Sequence, residues 1–332
     1  MNDPLDDLQR ATIAALAPTV QHGQSVALLD YPAHFNAGDL LIYQGTLSYL
    51  ARMGASVDYV CALHTYDTKV LSACVPEGPL LLNGGGNFGD RWFGYQNFRE
   101  RVIAEHPERK IVQMPQTIEF HDDAALARAQ RIYAQHPDLT LLMRDRRGYE
   151  LARELFPENT VVFCADAALG VGRIAPSAEP TRDIVLLKRR DPESVQSAKS
   201  LPASLASAYM TDWHVSAADN AQWWPTTLGL LLLNKLPGVR SRMYPLTRRA
   251  FDWQADMVVD NAVAILSQGR LVVTDRLHAG ILAVLMGKPV VLVDNANKKV
   301  SRIHGDYLSS FPDTHLAENF DHAAELAGQL VS

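Results

Sequence analysis

Short apolar runs rich in Val, Ile and Leu recur along this chain, each separated from the next by a stretch of helical periodicity or by a polar turn. That alternation constrains the fold more than any other feature, because parallel strands need long crossover connections and helices supply them. Val26–Asp30, Leu80–Asn83, Ile111–Met114, Leu139–Met143 and Val161–Cys164 read as buried strands, and Leu40–Met53, Ala124–Gln135 and Arg147–Leu155 as helices. After Leu169 the pattern breaks into GVGRIAPSAEPTRD, whose Gly, Pro and charged residues suit a linker. A second unit opens with a strand at Ile184–Lys188, and its best-formed stretch is strand, turn, helix and strand from Leu271 to Val293. The 332 residues, 47% of them hydrophobic, exceed one typical domain and can fill two cores. The predicted fold class is therefore α/β, with domains over residues 1–175 and 176–332.

Charge and cysteine content then remove several classes of function. A formal charge of −6 provides no basic field of the kind that draws proteins to phosphate backbones, so nucleic acid is not an expected partner. Cys61, Cys74 and Cys164 are odd in number and form no CxxC pair, which predicts buried thiols in a reducing compartment rather than disulfides or a zinc site. Met1–Gln24 carries Asp3, Asp6 and Asp7 and does not read as a secretory leader. The apolar run Leu228–Leu233 is too short to span a bilayer.

In an open parallel sheet, ligands bind beyond the carboxyl ends of the strands, so the polar residues that follow each strand are the candidate site. HFNAGD follows the first strand: Asn36 and Gly38 suit a tight turn, and Asp39 is either a helix N-cap or a functional carboxylate. LLLNGGGNFGD presents Asn83, Gly85, Gly86, Asn87 and Asp90; its glycines would let the backbone approach a ligand closely, or simply make a turn. It is not the dinucleotide fingerprint, since no helix begins promptly after it. Gln113 and Gln116 close the next strand, where amides suit sugar hydroxyls or loop tethering, and Arg144, Asp145 and Arg146 suit either a ligand or an internal ion pair.

The second unit carries more charge. Its first strand runs into Lys188, Arg189, Arg190 and Asp191, and a guanidinium there can grip a carboxylate or phosphate. In VVTDRLHAGILAVLMGKPVVLVD, Asp275, Arg276 and His278 stand between a strand and a helix, where the helix start favours an anion and His278 can move a proton. Asp294, Asn295, Asn297, Lys298 and Lys299 follow the next strand, so one lysine can complete an anion site.

Together these residues resemble the polysaccharide pyruvyl transferases, especially the branch found in bacterial exopolysaccharide operons. The resemblance runs through NxGD (Asn36, Gly38, Asp39), NGGGNFGD, VQMPQT, the MRD segment at Met143–Asp145, the Arg189 loop, VVTDRLH and the lysine pair. It implies two Rossmann-like domains facing each other across a cleft, as in GT-B glycosyltransferases, with the last helix free to pack back on the first domain. It also implies transfer of a ketal pyruvate from phosphoenolpyruvate to two sugar hydroxyls, with no cofactor and no metal. The second domain would hold the donor through Arg189, Arg276, Leu277, Lys298 and Lys299. The first would hold the acceptor through Asn36, Asn83, Gly85, Gly86, Asn87, Gln116 and Arg144. His278 would serve as general acid, and Asp39 or Asp90 as base.

Two other classes fit part of the pattern: a GT-B glycosyltransferase using a nucleotide sugar, and an inactive carbohydrate-binding scaffold. The expected location is cytoplasmic. Trp213–Thr247, with Trp223, Trp224, LGLLLLNKL, Arg240 and Arg242, and with Arg248 directly after it, is longer than the usual family connection. It reads foremost as a core helix or dimer contact, and second as a peripheral contact with the inner face of the membrane, near a lipid-linked acceptor. Oligomeric state and sugar identity are open at this level.

Overall fold

The computed structural model describes residues 3–189, 201, 202, 205, 208–213, 219, 221, 223, 229, 240–294 and 298–331. The chain forms two compact units. The first comprises Met1–His34, Ile42–Gly170 and Ala217–Ala255; the second comprises Phe35–Leu41, Val171–Ser216 and Asp256–Ser332. Trp224 and all of LGLLLLNKL except Gly229, together with Arg190, Asp191, Asn295 and Asn297, lie outside the described residues.

The first unit is built on β1 (Ser25–Leu29), β2 (Ser56–Cys61), β3 (Leu80–Leu82), β4 (Gly85–Gly89), β5 (Ile111–Glu119), β6 (Leu139–Met143) and β7 (Thr160–Phe163). Their order is β2-β1-β3-β5-β6-β7, with β4 paired to β5, and every pairing is parallel. The helices are α1 (Pro4–Leu16), α2 (Ala37–Arg52), α3 (Thr68–Cys74), α4 (Phe93–Glu105), α5 (Asp123–Ala134) and α6 (Arg146–Leu155). Aspartates start several of them: Asp3, Asp67, Asp122 and Asp145 each accept a backbone N–H of the first turn. One core gathers Leu29, Leu82, Phe88, Val102, Ile111, Tyr133 and Met143 from strands and helices together.

Most strand ends agree with the sequence expectation to within one or two residues, and two larger differences concern candidate residues. β5 runs on through Pro115 to Glu119, so Gln116 lies inside a strand rather than after one. Proline has no N–H for the ladder, and the register shifts between Gln113 and Gln116, which lets the strand tolerate it. The second difference is that the glycine run does not end in a loop: Gly85–Gly89 is itself a strand. A Cβ at Gly89, where φ is +141°, would lie 1.8 Å from the Glu119 carbonyl oxygen, and one at Gly84 would lie 2.8 Å from that of Pro115. These glycines are required by the approach of β4 to β5.

Gly45 in α2 is another close approach, since a Cβ there would stand 1.9 Å from the Ala167 carbonyl oxygen. Backbone cannot rotate away as a side chain can, so Gly45→Ala is expected to lower the unfolding free energy by about 1–3 kcal/mol, as overpacked substitutions do. A lower urea midpoint at unchanged slope would show it; an unchanged midpoint would mean that α2 shifts at no cost.

The second unit holds β8 (Arg182–Leu187), β9 (Tyr209–Thr211), β10 (Gly269–Thr274), β11 (Val290–Val293) and β12 (Thr314–Ala317), all parallel, in the order β12-β11-β10-β8-β9. Helices α7 (Arg240–Ser267), α8 (Leu277–Leu285), α9 (Lys299–Asp306) and α10 (Phe320–Val331) accompany them. The first residues of α7, through Ala255, belong to the first unit. There Arg248, one of the arginines at the edge of the Trp213–Thr247 stretch, bonds to Asp252 and to the Val57 carbonyl. α10, which the family resemblance left free to return to the first domain, packs on β10, β11 and β12 of its own unit through Phe320, Ala323 and Ala327. Among the described residues no helix is long and apolar enough to cross a membrane.

The cysteines test the burial pattern. Cys61 and Cys164 are buried, and burial pushes both thiols well above the ordinary range; Cys74 is half-buried and raised less. Only a thiolate attacks an aromatic disulfide. Titration with such a reagent at neutral pH is therefore expected to label Cys74 first and the other two only on unfolding; rapid labelling of all three would contradict this packing.

Candidate active site

Both sheets are parallel, so in each unit the carboxyl ends of the strands share one edge, and the residues leaving that edge can converge. In the second unit they converge on Asp275, which follows β10 and is buried. Its Oδ1 accepts the Arg189 N–H at 2.8 Å, and its Oδ2 lies 3.8 Å from Lys188 Nζ. Burial raises the Asp275 carboxyl above its ordinary range, opposed by the Arg189 N–H and by the charges of Lys188, Arg276 and Arg189. Lys188 is also buried, with its ammonium 4.9 Å from the centre of the Phe320 ring.

Arg276 caps the start of α8 with its backbone, its N–H bonding to Thr274 Oγ1 at 3.0 Å. Its side chain was expected to meet a ligand phosphate directly. The structure also gives it Asp212, after β9, as a two-point partner: Nε to Oδ1 at 2.5 Å and Nη2 to Oδ2 at 2.8 Å. Such a fork fixes the guanidinium plane. Leu277 and His278 are the next two residues and begin α8, whose cap residue makes no side-chain cap bond. Helix starts of this kind favour anions.

The NAGD turn belongs to this same unit, although the sequence reading set Asn36 and Asp39 in the first domain. Asn36 Oδ1 accepts the Gly38 N–H at 3.0 Å, and Asn36 Nδ2 donates to Asp39 Oδ2 at 2.8 Å. Asn36 is thus the residue that caps α2, and Asp39 sits within its first turn. Gly38 lies against the His278 ring: a Cβ there would be 2.5 Å from His278 Nδ1 and 2.7 Å from its Cγ. The turn and the histidine are therefore held together by the absence of a side chain. Lys298 is exposed with φ +52° at the start of α9, and Lys299 is the first residue of that helix.

In the first unit the structure brings Asn83, Gly85, Gly86, Asn87, Gln116 and Arg144 together, and much of their bonding capacity is internal. Arg99, from α4, is fully buried and holds them. It bonds Asp30 Oδ2 through Nε at 2.9 Å, Asn87 Oδ1 through Nη2 at 2.6 Å, and the Asn87 carbonyl through Nη1 at 3.1 Å. Gln116 Nε2 donates to the Asn83 carbonyl at 2.8 Å, and its Oε1 accepts the Asn87 N–H. Arg144 bonds Thr117 Oγ1 at 2.8 Å and Asp166 at 2.7 Å, its Nη2 3.1 Å from where a Gly86 Cβ would stand. Asn83 Oδ1 is buried without a hydrogen-bond partner among the described residues. Asp90 faces elsewhere, its Oδ2 accepting the N–H groups of His121 at 2.7 Å and Asp122 at 2.5 Å.

The same order of residues, from the NxGD turn to the segment after β11, is that of a known family model: polysaccharide pyruvyl transferase matches residues 36–297. The chain belongs to this family. Among relatives of the pyruvyl transferases, it is 28% identical over 299 residues to pyruvyl transferase 1 of Schizosaccharomyces pombe, covering 86% of this chain and 70% of that one. It is 28% identical over 317 residues to EpsO of Bacillus subtilis, assigned to the same activity, with 92% of each chain covered. A crystal structure of an uncharacterized Klebsiella pneumoniae protein shares the fold, with TM-score 0.57 at 17% identity over 96% of this chain and 100% of that one. Membership makes this chain a transferase of the pyruvyl transferase family and implies a sugar or polysaccharide substrate. Three residues central to this transferase's geometry had gone unassigned in the sequence: Arg99, Asp212 and Lys188. Arg99 and Asp212 stand in segments with no motif, and their roles exist only through contacts distant in sequence.

Proposed function

We propose that this transferase moves pyruvate, as a ketal, from phosphoenolpyruvate to two hydroxyls of a sugar in exopolysaccharide biosynthesis. The observation that carries the reading is the NAGD turn lying against His278, in the same unit as Arg189 and Arg276. A proton-transfer group, a carboxylate and two guanidiniums at the end of a parallel sheet suit a donor bearing both phosphate and carboxylate.

In the proposed reaction the second unit holds the donor. Arg189, Arg276, the start of α8 at Leu277 and one of Lys298 and Lys299 take its two anionic groups. His278 gives a proton to the methylene carbon, which becomes methyl, and the adjoining carbon becomes electrophilic. A sugar hydroxyl adds there and loses its proton to Asp39. The bond to phosphate then breaks, and a second hydroxyl closes the ketal. One hydroxyl proton replaces the one given to carbon, and the other leaves with phosphate. The cationic side chains supply the charge, so no metal or cofactor enters. The first unit holds the acceptor. Because Asp90 is engaged with two backbone N–H groups, Asp39 is the base in this scheme. Three free cysteines suit a cytoplasmic site of action.

The reading predicts release of inorganic phosphate from phosphoenolpyruvate, dependent on added saccharide and unaffected by chelators. Release of a nucleoside diphosphate from a nucleotide sugar, with phosphoenolpyruvate inert, would replace it with glycosyl transfer.

A further inference from the structure

A second cluster in the first unit lies outside the residues assigned above. Beyond the carboxyl ends of β1 and β2, and in the turn after β4, a cavity of about 300 Å³ is lined by Tyr31, His64, Arg91, Trp92, Phe93 and Tyr95 among others. Trp92 is 54% exposed and Phe93 52%, the two most exposed large apolar side chains described. Adjacent aromatic rings exposed beside a cavity have the makings of a ligand site, since such sites are concave and lined by aromatic side chains.

The rings are held in place. Asp90, two residues before Trp92, is tied to the His121 and Asp122 N–H groups, which fixes the turn. One face of Phe93 is covered by the Arg128 guanidinium at 5.2 Å, and Arg128 is itself bonded to Glu100 at 2.7 Å. The Trp92 indole stays largely exposed to solvent. Around it stand groups able to bond hydroxyls: the exposed His64, Arg91, and Tyr95, whose hydroxyl lies 3.4 Å from His34 Nδ1. A flat π face edged by donors and acceptors matches a pyranose ring, which offers C–H groups on its face and hydroxyls at its rim.

We propose that Trp92 and Phe93 form the platform on which the acceptor saccharide stacks, with Tyr95 and His64 bonding its rim. The platform rests on the transferase reading above and names where its acceptor binds. Asp90 is then a positioning residue for the platform.

The test is saturation-transfer NMR on the full chain with methyl glycosides of glucose, galactose and mannose, each of which keeps hydroxyl pairs that a ketal can bridge. The wild-type protein is expected to saturate the ring C–H protons of at least one glycoside. Trp92→Ala should weaken that binding by about tenfold, and Trp92→Phe should restore most of it. Because the Trp92 side chain is exposed, Trp92→Ala is expected to unfold at the wild-type urea midpoint. No saturation by the wild type, or equal binding by Trp92→Ala, overturns the platform. A dimer that dissociates on Trp92→Ala overturns it as well, assigning the rings to self-association. Calorimetry of phosphoenolpyruvate on the wild type separates the two proposals: donor binding without glycoside binding sinks the platform alone, and glycoside binding without donor binding sinks only the donor reading.

Discussion

His278→Ala is expected to lower kcat/KM by about 10²- to 10⁴-fold, the contribution of a positioned general acid or base, while the protein unfolds at the wild-type urea midpoint. His278 is only half-buried in the first turn of α8, and that helix is seated by Leu277, Ala279, Ile281 and Leu282 instead. Loss of the ring should therefore leave the seating of the helix intact, so that a fall in activity would report on the proposed proton transfer. Gly38→Ala is the complementary variant: its new Cβ would stand 2.5 Å from His278 Nδ1, so ring or turn must move. A comparable fall in kcat with the imidazole still present would show that the register between turn and ring matters. Full activity in both variants would remove this pair from the reaction.

The second large effect is on stability. Asp30 and Arg99 are 2% and 0% exposed, and each is the other's countercharge. Asp30→Ala leaves a guanidinium buried without that countercharge and is expected to cost about 3–5 kcal/mol, the usual loss on breaking a buried pair. Arg99 also bonds Asn83 and Asn87, so the loss should reach the glycine strand. Urea unfolding of Asp30→Ala checks this. A change below about 1 kcal/mol, the scale of an exposed pair, would mean that solvent reaches the site.

The parallel α/β pattern was legible because buried strands such as Leu139–Met143 and Val290–Val293 are unbroken apolar runs bounded by polar turns. β5 was cut short because Pro115 reads as a strand breaker, and only the register shift beside it reveals how the strand continues. The glycine run is ambiguous for a related reason. A close approach to a ligand and a close approach to Glu119 on β5 demand the same residue type, and sequence does not distinguish them. His278 and Arg276 were visible because strand, anion-binding side chains and helix start are contiguous. Asp212 was invisible, lying 64 residues from the arginine it holds. Chain order assigns Asn36 and Asp39 to the first domain, whereas contacts group Phe35–Leu41 with the second unit.

The central claim is that the second unit binds phosphoenolpyruvate through Arg276 and its neighbours, and calorimetry without added metal tests it most directly. The account predicts saturable binding by the wild type, loss of that binding in Arg276→Ala, and retained binding in His278→Ala, whose ring acts on the proton rather than on the charge. Absence of heat in the wild type, with candidate saccharides present as well as absent, would contradict the donor assignment and direct attention to nucleotide sugars.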